Sequence, residues 1–390
     1  MYDVIVIGLG AAGLFSLSNL DKNLSVLGIE KNSVAGKKLR LTGGGRCNLT
    51  RKGNIKDFID KYNNPSFVRP ILYGFNNAKL IEYFESRGFH IIFEEDRAYP
   101  KTEKASSVVD FFMDEITKKG HKLHFSEKVI DLVNENDFIR VVTDKNNYLA
   151  KNVILSVGGA SFFHTGSDGK LLKKLFTINE FYSGLSPIYV NEPFYKSLKG
   201  VSLNVKIMFK NKCFFDNILF AGAYLTGPAI LSLSNYVSSG DEFVVDFLPR
   251  VSIEKLKQDI KKYVETNPKK LLKSVFIENF DLPSKFIITI LENIGVLDEK
   301  VANVKKSDLD KFIEMIKAQK LTVCSKFSLE RAYVSGGGVL AESIDNKTMK
   351  LKTNDKIFVV GEAVDLIGEC GGYNLQFAFS SAYRACLKIN

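Results

Sequence analysis

The chain has 390 residues, 45% hydrophobic and 25% charged, which is ordinary for a globular protein and long enough for two or three domains around a large core. No apolar run reaches the roughly 18 residues of a membrane span, and the first strand begins at residue 2, so a cytoplasmic protein with no leader is expected. Five scattered cysteines without a C-x-x-C pair and four dispersed histidines argue against structural zinc, a disulfide framework or a metal site. The net charge of +10 fits an anionic partner such as RNA. Its source, however, is mostly Lys, in a chain rich in Asn, Ile and Phe and lacking Trp, as an AT-rich genome would produce. Charge alone therefore gives no reason to expect a nucleic-acid partner.

The chain opens on Tyr2–Glu30, which reads strand, glycine turn, helix, strand, acid. Val4–Ile7 is a β-branched apolar run. Gly8, Gly10 and Gly13 form G-x-G-x-x-G at the mouth of a helix over about Ala11–Leu20, and Glu30 ends the second strand, Leu24–Ile29. Gly8 permits the sharp turn, Gly10 lets backbone approach a pyrophosphate, and Gly13 lets helix and strand lie close. The helix N-terminus, with Ala11 and Ala12 in its first turn, offers N–H groups to phosphate, and Glu30 is placed for a ribose. Dinucleotide binding is the reading.

Lys31–Thr50 then departs from a simple nicotinamide domain. It is a long loop with Lys31, Lys38, Thr42, the triplet Gly43-Gly44-Gly45, Arg46, Cys47 and Asn48, fit to bring backbone amides against a flat or anionic ligand. Helices are expected over Asn76–Arg87 and Ser106–Lys119, with short strands at Ile91–Phe93 and Leu123–Phe125 and a loop over Glu94–Ser106. A hairpin is expected from Lys128–Val133, which carries Val129, and Phe138–Thr143. A buried strand, Asn152–Val157, delivers Gly158 and Gly159 after Val157. Short strands with polar turns follow from about Leu185, with a helix start at Thr226–Ala229 capped by Thr226. Arg250–Ala318 reads as mostly helical, its lysines forming solvated faces, and strands return at Leu321–Cys324 and Arg331–Val334. Lys356–Val360 runs into Gly361, Glu362 and Asp365. A second glycine turn, with Gly372, Tyr373, Asn374 and Leu375, opens a last helix, Leu375–Lys388. This is a second anchor for one extended ligand. A helix N-terminus there suits a flavin, whose reduced form carries negative charge.

These motifs resemble the YhiN/BaiN-like (3-dehydro-bile acid reductase-like) flavoproteins, a branch of the two-domain FAD-binding oxidoreductases. The resemblance rests on VIVIGLGAAGL (Val4–Leu14), GKKLRLTGGGRCNLT (Gly36–Thr50), RAYPKTEKASSVVD (Arg97–Asp110), LSVGGASFFHTGSDG (Leu155–Gly169), TGPAILSLS (Thr226–Ser234), ERAYVSGGGV (Glu330–Val339) and VVGEAVDLIGECGGYNLQFAFSSAY (Val359–Tyr383). It implies an α/β fold with a Rossmann-like FAD domain built from 1–186 and 325–390. A β-barrel-like insertion would span 187–250 and 319–324, and a helical insert 251–318. It implies FAD, with Val129 beside the adenine and Thr42–Asn48, Gly361-Glu362 and Gly372–Leu375 around the ribityl chain and ring. It also implies NAD(P)H as a transient hydride donor to an unsaturated or carbonyl small molecule, and the absence of a second G-x-G-x-x-G fits a donor that visits an open flavin face. Modification of tRNA and flavin binding without turnover are the alternatives. Relatives carry a Thr-His pair before the S-G-P-A motif, where Phe220–Thr226 has no histidine, which puts the substrate in doubt. Their A-T-G-G is here Ser156-Val157-Gly158-Gly159.

The residues with chemistry each have a plainer reading. Arg46 either stabilises reduced flavin or pairs with a carboxylate. Cys47 and Cys370 are thiols near the ring, or packing; Tyr373 is a proton donor, or a lid. Tyr99 and His164 are weaker candidates of the same kind.

Overall fold

The computed structural model describes residues 1–390, apart from the side chains of Pro193 and Phe194. The chain divides into two units, Met1–Gly184 with Ser328–Asn390, and Leu185–Phe327.

The first unit is organised by a parallel sheet. Tyr2–Ile7 lies between Val26–Ile29 and Asn147–Leu155, in register Ile7 to Ile29 and Ile7 to Leu155. Asn354–Val359 pairs parallel with the far side of Asn147–Leu155, and Lys122–His124 with Val26–Ile29. Continuous burial of Val4–Ile7 and Val153–Leu155 explains why these strands read as unbroken apolar runs: both sheet faces are covered. The helices Ala11–Asn19, Ala105–Lys119 and Tyr373–Ile389 bury Leu14, Phe15, Phe112 and Phe379 in the same core. Val129–Glu135, Phe138–Thr143 and Asn147–Leu155 form an antiparallel meander. Because the main strands are parallel and in register, their carboxyl ends share one edge. There the chain turns at Gly8, Glu30, Ser156 and Val360, each backbone N–H bonded to a neighbouring strand end or turn.

The second unit is a closed six-stranded barrel, Ile188–Val190, Leu225–Thr226, Lys212–Phe220, Ser202–Phe209, Glu242–Asp246 and Gln319–Lys326. Ile253–Thr266, Leu272–Asn279, Ser284–Ile294 and Lys306–Lys317 supply its helical part. Apolar stripes on those helices (Leu256, Ile260; Phe286, Ile290; Phe312, Ile316) are buried in one core with barrel residues; most of their lysines face water, and Lys317 at the end of the last helix does not.

Several local expectations are corrected. Arg97–Pro100, expected in a loop, is a strand between Thr50–Arg51 and Ile91–Glu94. Thr226 is not a helix cap: it ends a strand, and Gly227 (φ +93°) caps Pro228–Leu233. A Cβ on Gly227 would stand 2.7 Å from the Asn217 carbonyl oxygen, so close approach to the hairpin decides that turn. Arg331 lies in a short 3-10 turn, and the strand begins at Val334. Among the described residues no helix is long and apolar enough to cross a membrane.

Candidate dinucleotide site

The G-x-G-x-x-G turn is held by contacts that tolerate only glycine. Gly8 has φ +90°, and a Cβ on it would lie 2.7 Å from the Ser156 carbonyl oxygen. A Cβ on Gly13 would collide with the Gly8 carbonyl oxygen. The Ser156 hydroxyl, 2.9 Å from the Ile7 and 2.8 Å from the Gly8 carbonyl oxygen, ties the turn to the neighbouring strand end. Gly10 differs: a Cβ there meets nothing within 4 Å. It caps the helix Ala11–Asn19, so the open space lies in front of that helix's free N–H groups. Open space before free N–H groups has the chemistry to receive an anion such as a phosphate. Glu30 is buried beside it, accepting from Leu9 N (2.8 Å), Asn32 N (2.9 Å) and Asn32 Nδ2 (2.6 Å). Its carboxylate has about four acceptor sites, and one remains for a ribose hydroxyl.

A second cluster joins three loops. The Lys38 ammonium donates to Glu362 (2.7 and 2.9 Å) and to Ser161 Oγ (2.6 Å). Glu362 Oε1 also accepts from Ser335 N (2.9 Å) and Ser335 Oγ (3.1 Å). Gly159 packs against Glu362 and Ser335, where a side chain would not fit. Lys38 and Glu362 were both expected at the ligand, and the structure pairs them with each other. Oε1 is saturated, which leaves Oε2 to accept from a ligand hydroxyl. Gly361 lies against Ala12, bringing the last strand end onto the first helix.

The third part joins the glycine triplet to the last helix. Gly43, Gly44 and Gly45 all have positive φ, and Cβ atoms on Gly44 and Gly45 would meet nothing within 4 Å. Asn48 lies between Gly43 and Gly372, its Oδ1 buried with no hydrogen-bond partner. Such an orphan acceptor beside the start of Tyr373–Ile389 is the polar atom a ligand N–H would satisfy. Thr50 donates to Gln376 Oε1 (2.6 Å), and Gln376 Nε2 donates to the Phe75 carbonyl (3.2 Å), locking that helix in place.

The remaining expected residues divide. Lys31 pairs with Asp168 at 3.1 Å, and Thr42 bonds back to Leu39 O. Val129 is buried at its strand start, and Val157 and Leu375 are half-buried against the core. Gly158 lies against Ser167. Asp365 is engaged by Asn179 Nδ2 and Gly337 N, and the Asn374 amide closes its own loop through Gly368. Both serve the protein's loops. Tyr373 is buried edge-on against Phe58 and Tyr62, its carbonyl accepting from Tyr62 OH, which is a packing role. Arg46 lies 4.3 Å over the Tyr99 ring and pairs with Glu94 and Glu103, so carboxylate pairing is its observed role. Cys47 is buried, and burial pushes its thiol up to about 12, which does not suit a redox thiolate.

Alkylation with iodoacetamide at pH 8 should therefore label Cys213 and Cys324 quickly. Cys47 and Cys386, both buried with thiols pushed up to about 12, should react only after denaturation. Peptide mass spectrometry reads the order, and fast labelling of Cys47 would contradict it. Ser161, Ser335, Thr50 and Gln376 carry no local sequence pattern as site residues because their partners lie far along the chain, and Asn32 is distinguished only by its bridge from Glu30 to the distant Thr165 carbonyl.

The HI0933-like protein Rossmann domain profile matches residues 2–388. A Haemophilus influenzae protein named ribosomal RNA dihydrouridine synthase is 30% identical over 400 residues, covering 99% of this chain and 98% of its own. An Escherichia coli protein of the same name is 25% identical, covering 99% and 97%. A Clostridium scindens 3-dehydro-bile acid delta(4,6)-reductase is 25% identical, covering 97% of each. Among solved structures, the 3-ketosteroid delta1-dehydrogenase from Sterolibacterium denitrificans aligns with TM-score 0.48 and 11% identity, over 100% of this chain and 99% of that one. With a match along nearly its whole length and the glycine cradle in place, the chain belongs to the HI0933-like Rossmann-domain family.

Proposed function

We propose that the protein is an FAD-dependent reductase that uses NAD(P)H to saturate a carbon–carbon double bond conjugated to a carbonyl, and that its substrate is uridine in ribosomal RNA. The observation that carries the flavin part is the cradle in front of Gly10, flanked by Glu30, in the same unit as the orphan Asn48 Oδ1. Gly8–Gly13 and the helix N-terminus would hold the pyrophosphate, Glu30 the adenosine ribose, Glu362 Oε2 a ribityl hydroxyl, and Asn48 a ring N–H. FAD, when bound, supplies the hydride. The reaction class is supported by the relatives' names. Dihydrouridine is uridine with its ring double bond reduced, and a delta(4,6)-reductase also removes double bonds. In uracil, as in an enone, the carbonyl makes the far carbon accept hydride. Uridine is preferred because the relative at 30% identity carries that name. A cytoplasmic location fits both donor and substrate.

Anaerobic mixing with NADH or NADPH should bleach the flavin. Ribosomal RNA transcribed in vitro, and so free of modification, should then gain dihydrouridine by nucleoside mass spectrometry. Bleaching without dihydrouridine would leave the reductase and remove the RNA substrate; no bleaching with either nucleotide would remove the donor. Glu362→Gln, which weakens the pairing with Lys38, should lower FAD affinity by about tenfold in a fluorescence titration.

A further inference from the structure

From the loop that follows Gly159 we infer that Phe162, Phe163 and Tyr333 form a stacking platform for an RNA base beside the flavin cradle. The inference rests on the reading that RNA is the substrate, and it names where the protein receives it.

Three observations carry it. Large aromatic side chains are exposed here: Phe163 is 50% and Tyr333 49% accessible, with His164 exposed between them in the ring cluster. Phe162 lies 6.1 Å from Tyr333 and 5.6 Å from His164, and Phe163 6.2 Å from His164, centroid to centroid.

The loop is also rigidly mounted. Phe162 is a bulky residue in the left-handed region (φ +50°, ψ +49°), and its carbonyl accepts from Thr165 N at 2.7 Å and Thr165 Oγ1 at 2.8 Å. A ring carried on an anchored backbone turn loses less entropy when a base stacks on it than one on a free loop.

Finally, the mounting points are the cofactor acids themselves. Ser161, one residue before Phe162, touches Lys38 and Glu362. Ser335, two residues after Tyr333, donates to the same Glu362. At the other end Asn32 bridges Glu30 to the Thr165 carbonyl at 2.9 Å. The aromatic patch is thus continuous with the polar groups assigned to FAD. Base–aromatic stacking tolerates any base, so the platform gives affinity and placement rather than sequence choice.

The test uses the full-length, FAD-loaded protein and two probes at physiological salt: fluorescein-labelled dodecauridylate, and an abasic ribose-phosphate chain of equal length and charge. Tyr333→Ala and Phe163→Ala should each weaken dodecauridylate binding by about tenfold or more, with Tyr333→Phe restoring it. The abasic chain should be unaffected, and FAD content and melting temperature should match wild type. Because the chain has no Trp, Phe163→Trp places a single indole on the platform. Its emission should change with dodecauridylate and not with the abasic chain. Equal losses for both probes, unchanged binding in the alanine variants, or a wild type that does not bind dodecauridylate would each overturn the platform. Aromatic-dependent binding without dihydrouridine formation would keep the platform while removing the catalytic reading.

Discussion

Replacing Gly13 by valine is expected to yield a protein that purifies without FAD and does not take it up, a loss of at least a hundredfold in affinity. The new side chain has nowhere to go. Its Cβ would overlap the Gly8 carbonyl oxygen, and Gly8 is itself wedged against the Ser156 carbonyl at the next strand end. Relief requires the helix Ala11–Asn19 to move off the sheet, which takes its N–H groups away from the phosphate position and opens a core holding Leu14 and Phe15. The overpacking costs about 1–3 kcal/mol before any cofactor is considered. Gly10→Ala separates the two effects. Its methyl meets no protein atom within 4 Å, so the melting temperature without FAD should match wild type, while the cradle is partly filled and FAD binding weakened. Absorbance near 450 nm relative to 280 nm, with melting curves in the presence and absence of FAD, reads both. Stoichiometric FAD in Gly13→Val would show that the cofactor binds elsewhere.

Lys317→Met is expected to destabilise the second unit by about 3–5 kcal/mol without changing FAD content. The Lys317 ammonium donates to Asp246 Oδ2 (2.7 Å), Leu248 O (2.8 Å) and Val251 O (2.6 Å), which uses all three of its protons. Both partners of the ion pair are almost fully buried. Methionine preserves the stem but removes the donor from Asp246 Oδ2 and from the Val251 carbonyl, while Asp246 Oδ1 keeps Leu248 N (2.9 Å) and Leu248 O keeps Val251 N (3.0 Å). The lysine stands at the end of the helix Lys306–Lys317, just before the barrel strand Gln319–Lys326, so it fixes where helix gives way to barrel. Urea unfolding monitored by circular dichroism gives the loss. Lys317→Met combined with Asp246→Leu should recover part of it, since the isolated charge is then gone. An unfolding midpoint equal to wild type would place the pair among those that contribute nothing.

What could be read from the sequence was what short range determines. The turn at Gly8–Gly13, the acid at Glu30 and the glycine opening of the last helix each announce themselves within a few residues. The mixed α/β part, the β-rich segment and the helical segment followed from changes of hydrophobic period, whereas the barrel was implied only by the family resemblance. What escaped depends on partners distant in the chain. Lys38 and Glu362 are 324 positions apart, and nothing near either one shows that they meet. Arg97–Pro100 looked like a loop because Arg and Pro are poor strand formers, yet the strand Ile91–Glu94 and the pair Thr50–Arg51 recruit it from both sides. For Arg46 and Tyr373 only packing shows that carboxylates engage one and aromatic rings enclose the other.

The first unit is assembled from both ends of the chain, and this has a consequence for how the protein is made. On the ribosome, Tyr2–Ile7 and Val26–Ile29 can pair early, but the Val153–Leu155 end of Asn147–Leu155 keeps one side open until Asn354–Val359 emerges, with the whole second unit synthesised in between. Until then a buried apolar strand is a sheet edge, a template for wrong partners. The Glu362 and Gly372 anchors arrive last of all. The FAD site proposed above is therefore complete only after translation, and a nascent chain halted within the second unit is an aggregation hazard.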